Sequence, residues 1–140
     1  MIYIAGPVFK AYWDHQSPLL SRLVLALIDQ IFSQPVARLE ASAQIELSLL
    51  RKGNDLVMHL VNHAGQERLS GWVFPVTEYI PEIRGIKVML RTGRRRLEIV
   101  RVPGKKTISC KIDKGYSTFC CPPLHEMESF FIKGYFGSWP

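Results

Sequence analysis

Cysteine is scarce in this 140-residue chain and poorly placed for structural chemistry. Cys110, Cys120 and Cys121 make an odd number without C-x-x-C spacing, which argues against a disulfide framework and a standard zinc site. Three thiols of this kind fit a reducing, cytoplasmic compartment. Long apolar runs are also missing. The longest, Leu19 to Phe32, is broken by Ser21, Arg22, Asp29 and Gln30 and falls short of the roughly 20 apolar residues that a membrane span needs. Met1 to Phe9 has no basic segment ahead of its apolar residues, so it does not read as a signal peptide. No G-x-G-x-x-G, P-loop or nucleophile-elbow motif is present, and neither an internal repeat nor a low-complexity linker can be found. These absences leave no expectation of a cofactor, a metal or a membrane.

The composition is that of a folding domain. An apolar share of 47% with 21% charged residues lies far from the signature of disorder. A chain of this size buries roughly two-thirds of the surface that its unfolded form exposes. The net charge of +6 has two local sources, Arg91 to Arg96 (RTGRRR) and Lys105-Lys106, each beside a glycine that reads as a turn. Basic hairpin tips on a solvated surface explain this charge, and a small anion-binding protein using Arg94, Arg95 and Arg96 is the functional alternative. Nucleic-acid binding would need aromatics interleaved with the basic residues, and RTGRRR has none.

The hydrophobic period divides the chain in two. Ile2 to Ala5 is a short apolar run closed by Gly6-Pro7, the pattern of a buried strand followed by a loop. Ser17-Pro18 supplies an N-cap and a proline at the first helical position. Leu20, Leu23, Val24, Leu27, Ile28 and Ile31 then recur at helical spacing, and Leu19, Leu25 and Phe32 widen the apolar face beyond a surface stripe. Gln34-Pro35 ends the helix. From Ala37 the period becomes two, with turn signals at Lys52-Gly53-Asn54-Asp55, Thr92-Gly93, Pro103-Gly104 and Asp113-Lys114-Gly115. Ile108, Cys110 and Ile112 alternate as one strand. The expectation is a mainly β protein, an antiparallel sandwich of seven or eight strands over 34–140, with a strand-helix unit over 1–33 joined to it tightly.

Candidate chemistry is thin. His59 and His63 stand four apart, but the segment alternates as a strand, so they do not share a helical face, and a hydrogen-bonded structural His59 is expected. Cys120 and Cys121 point to opposite faces of a strand, as buried small hydrophobes. Glu78 with Glu82, and Glu126 with Glu128, are acid pairs, but without further polar lining nearby in sequence they read as solvated carboxylates. The loop aromatics Trp72, Phe74 and Tyr79 allow two readings: rings that stack on sugars of an oligosaccharide, or plugs for the open ends of a sandwich.

The succession YIAGPVFKAYWDHQSPLLSRLVLALI, Pro35-Val36, MHLVNH, YIPEIRGIKVML and LHEMESFFI resembles the C-terminal end of a glycoside hydrolase family related to α-L-fucosidases and to β-galactosidases with a trimerisation-type middle domain. The resemblance covers essentially the whole chain, and its sharpest pieces are Val57 to Asn62 and Tyr79-Ile80-Pro81. It implies that 1–33 is the last strand and helix of an amidotransferase-like α/β domain and that 34–140 is the terminal sandwich. The catalytic barrel of such enzymes has no counterpart in this sequence, so no catalytic residue is carried over. The partners implied are the catalytic and middle domains of a parent enzyme. The helix face at Leu20, Leu23, Val24, Leu27, Ile28 and Ile31 would then fold onto the sandwich or pair with a second copy.

Overall fold

A computed structural model describes residues 6–15, 17–42, 44–64, 79–93 and 96–136. The expected strand at Ile2 to Ala5 lies outside them. The chain divides into two compact units, Met1–Val36 and Ala37–Pro140.

The first unit contains two helices in contact, α1 (Val8–His15) and α2 (Pro18–Ile31). The segment that α1 occupies reads in sequence as a loop. Pro7 starts the helix, its carbonyl accepting from Ala11 N at 2.8 Å, and its fixed φ suits a first helical position. Four poor helix formers, Val8, Phe9, Tyr12 and Trp13, mask the signal. In α2, Ser17 is the N-cap residue in extended conformation, but its backbone carbonyl rather than its hydroxyl engages the helix, accepting from Ser21 N at 3.0 Å. No residue of α2 is buried: Leu20, Val24 and Leu27 are half-buried, and Leu19, Leu23, Leu25, Ile28 and Ile31 are exposed.

The second unit is the antiparallel β structure that the alternating period implies. Its nine strands among the described residues are β1 (Ala37–Glu40), β2 (Ile45–Lys52), β3 (Asp55–Asn62), β4 (Lys87–Arg91), β5 (Glu98–Val102), β6 (Lys106–Ile108), β7 (Lys111–Asp113), β8 (Tyr116–Cys120) and β9 (Met127–Lys133). They form a four-stranded sheet ordered β1-β4-β8-β7 and a five-stranded sheet ordered β2-β3-β9-β5-β6. The count exceeds the expected seven or eight because the run Ile108 to Ile112 is two strands. It breaks at Ser109 and Cys110, leaving β6 at the edge of one sheet and β7 at the edge of the other.

Side-chain alternation places Leu56, Met58 and Leu60 of β3, Phe130 and Ile132 of β9 and Ile99 of β5 on the inward side of the larger sheet, all buried. The smaller sheet contributes Val88, Leu90 and Phe119, also buried. Phe119 meets Phe130 edge-on across the interior, with ring centroids 5.6 Å apart. At one end of the strands Tyr135 is buried and donates its hydroxyl to the Arg91 carbonyl at 2.7 Å. Burial of that phenol pushes its pKa upward.

Candidate functional site

The end of the sandwich that carries the longer connections is where the sharpest sequence pieces meet. Asn62 ends β3 in an inward position, where the alternation would otherwise place an apolar residue, and it is 2% exposed. Its Nδ2 donates to the carbonyls of Pro81 at 2.8 Å and His125 at 2.6 Å, while its Oδ1 accepts from Ala64 N at 2.8 Å. Its backbone N donates to the Glu126 carbonyl at 2.8 Å. The side chain thus pins the 79–84 and 121–126 segments to β3. Ile83 and Leu124 exchange backbone hydrogen bonds of 2.9 Å beside it. Asn62 has no chemical task in the sequence reading; a polar residue at the inward step after Leu56, Met58 and Leu60 is the signal for its role.

On this base stands a polar cluster. Tyr79 is 74% exposed. Glu82 accepts from Arg84 Nε and lies 2.9 Å from His125 Nε2, so each of its two oxygens faces a basic side chain. A carboxylate so engaged ties Arg84 to the 121–126 segment. Trp72 and Phe74, proposed from sequence to act with Tyr79, lie outside the described residues, as does Glu78. Glu82 is therefore found with Arg84 and His125.

The second acid pair separates. Glu126 is exposed, whereas Glu128 is 9% exposed and points inward, where Arg101 grips it with Nε and Nη2; the Nε contact is 2.6 Å. The expected solvated carboxylate is instead one half of an ion pair, and its hydrogen bond raises the Arg101 pKa. Cys121 lies half-buried, and burial, with the Glu128 charge adding to it, pushes its thiol from 9.0 up to about 12. Cys120 corrects the expectation of burial for all the cysteines, since it ends β8 exposed.

The histidines act in hydrogen bonds. His59 Nδ1 lies 2.8 Å from Ser129 Oγ on the adjacent strand. His63 Nε2 lies 3.0 Å from Glu46, and that hydrogen bond, with a second from Ser48, lowers the Glu46 pKa. Among the described residues no group of three or more His, Cys, Asp or Glu side chains is placed to hold a metal ion. At the opposite end, Thr92 N and Gly93 N both donate to the Gly115 carbonyl, at 2.9 and 3.0 Å, which brings Lys114 beside the basic turn. Arg96 is exposed there; Arg94 and Arg95 lie outside the described residues. No helix among the described residues is long and apolar enough to cross a membrane.

The fold defined by these elements is a mainly β, two-sheet antiparallel structure accompanied by a helical unit. A solved structure shares it: α-L-fucosidase isoenzyme 2 from Paenibacillus thiaminolyticus, with a TM-score of 0.78, 20% sequence identity and coverage of 94% of this chain. The match takes up 20% of that enzyme, so this chain corresponds in fold to a small part of a glycoside hydrolase. No protein-family model and no curated protein matches the chain.

Proposed function

We propose that this chain is a non-catalytic accessory region of a glycoside hydrolase, a sandwich that braces or covers the catalytic domains of a longer polypeptide. The observation that carries the reading is the disproportion of the fold match: 94% of this chain against 20% of the enzyme. The polar groups support it, because Glu82 and Glu128 are both engaged by basic side chains and neither is left to attack or protonate a glycosidic bond. Two measurements test it together: the intact mass of the polypeptide that the gene produces, and turnover of aryl α-L-fucosides and β-galactosides by the 140-residue chain. The expected result is a polypeptide several-fold longer and an inert 140-residue chain. A gene product of only 140 residues, or hydrolysis of either substrate by the 140-residue chain, overturns the reading.

Oligosaccharide binding is a second reading, supported by the 74% exposure of Tyr79, three residues before Glu82, which is paired with His125. An exposed aromatic ring suits stacking on a sugar face. Titration with oligosaccharides, followed by intrinsic fluorescence in the parent and in Tyr79→Ala, decides it. Saturable binding lost in the variant supports the reading, and an unmoved signal in the parent removes it. The exposed Leu23, Ile28 and Ile31 of α2 similarly support association of the helical unit with the rest of such an enzyme or with a second copy.

A further inference from the structure

The outward side of the five-stranded sheet is apolar where an antiparallel sandwich ordinarily meets water. Register places Leu50, Val57, Phe131 and Val100 side by side on four successive strands, β2, β3, β9 and β5. The next row outward is Ser48, His59, Ser129 and Val102, and the one after holds Val61 and Met127. Leu50 is 56%, Val102 44% and Met127 59% exposed, and Val57, Val61, Val100 and Phe131 between them are half-buried. The polar pair at the centre, His59 with Ser129, is joined to itself by its 2.8 Å hydrogen bond. Charges stand only at the margins of this field: Lys133 paired with Glu98 at 2.6 Å on one side, Glu46 paired with His63 at 3.0 Å on the other.

The four-stranded sheet is an internal reference. Its outward side carries Arg38, Glu40, Lys87, Arg91, Lys111 and Asp113, interspersed with Met89, Tyr116 and Cys120, and Lys87 is joined to Glu40 at 2.9 Å. One sheet is dressed for solvent. The other has the apolar centre and charged margin of a protein contact.

We infer that the outward face of the five-stranded sheet docks an uncharged, apolar surface of another domain of the same polypeptide, an inference that rests on the accessory-region reading above. The size of the face selects that occupant. Four strands about 4.8 Å apart and three rows about 6.8 Å apart give a field of roughly 300–400 Å². A stable dimer of separate chains needs about 800 Å² per partner, twice as much. Contacts between domains of one chain bury roughly 600–1,500 Å² in total, and the lower half of that span is what this face supplies. A covalent tether offsets the small area by raising the effective concentration of the partner.

Hydroxyl-radical footprinting of the polypeptide as its gene encodes it, set against the 140-residue chain, tests this. Met127 lies on the apolar field and Met89 on the outward side of the polar sheet, so one is the reporter and the other the reference. Oxidation of Met127 is expected to be roughly fivefold or more slower in the longer polypeptide, with Met89 changed by less than about twofold. The Phe131→Lys variant should return Met127 in the longer polypeptide to the rate of the short chain. Equal Met127 rates in both proteins overturn the docking face and leave the accessory-region reading standing. A gene product of only these 140 residues overturns both, and slowing of Met127 oxidation with rising concentration of that product identifies a second copy as the occupant instead.

Discussion

Phe130 and Phe131 are neighbours of identical chemistry with opposite fates. Phe130 is fully buried against Phe119, whereas Phe131 lies on the outward side of the same sheet. The contrast extends to the two sheets: arginine, lysine and carboxylates surround Met89, Tyr116 and Cys120 on one outward surface, while valine, leucine, methionine and phenylalanine occupy the centre of the other. An inward apolar surface is required for the sandwich to fold at all. An outward one, where Phe131 is only half-buried, adds less to that folding until something covers it, so the difference separates residues that serve stability first from residues open to contact.

The largest test of this division compares the two phenylalanines. Phe130→Ala should cost about 3–5 kcal/mol through the cavity it leaves, and Phe131→Ala in the 140-residue chain less than about 1 kcal/mol, both read from urea unfolding midpoints. Equal losses would mean that the outward face is already packed. Next in size is Asn62→Ala, which strips partners from the Pro81 and His125 carbonyls and from Ala64 N. A loss of about 2–3 kcal/mol is expected, with faster amide exchange at Ala64.

An effect spread thinly over several pH units concerns Cys121, whose folded-state pKa is raised from 9.0 to about 12. A group that holds its proton more tightly when folded contributes fully below its unfolded value, and that contribution is lost as pH rises towards the folded one. Stability should therefore fall between pH 9.0 and about 12, by on the order of 1 kcal/mol per pH unit. Cys121→Ala should flatten this limb, while exposed Cys120 should react with a maleimide well before Cys121. The smallest effect belongs to the charged margin. Glu46 has a lowered pKa in the folded state, so its contribution is present above the usual carboxylate range and disappears as pH falls through the folded value. Glu46→Gln should change the melting temperature barely, and added salt should erase even that.

Much of the β unit is legible in sequence because most of its hairpins announce themselves; the basic turn at Thr92-Gly93, which reads as a hairpin tip, instead leads from β4 of one sheet to β5 of the other. Lys52-Gly53-Asn54-Asp55 closes β2 on β3 with Gly53 at φ +61°, a conformation that glycine adopts without strain. The apolar outward face is also written in the chain, in MHLVN and SFFIK, where apolar residues fill both phases of the alternation. Periodicity registers such runs as buried strands and cannot say what buries them. The polar interior was harder to read, because Glu128 becomes an inward residue only once β9 is in register with β3, and Arg101 only once β5 joins β9. The cluster of Glu82, Arg84 and His125 needs Asn62 to draw two distant segments together, a contact that no local pattern encodes.

The passage of one run of chain from β6 to β7 ties the two sheets in a further sense. Only Ser109 and Cys110 separate a strand registered on β5 from a strand registered on β8. A slip of one residue in either sheet turns its side chains to the wrong face, and so short a span cannot absorb the slip without passing it across. The corner therefore couples the two sheets: the register of β6 on β5 and that of β7 on β8 cannot change independently.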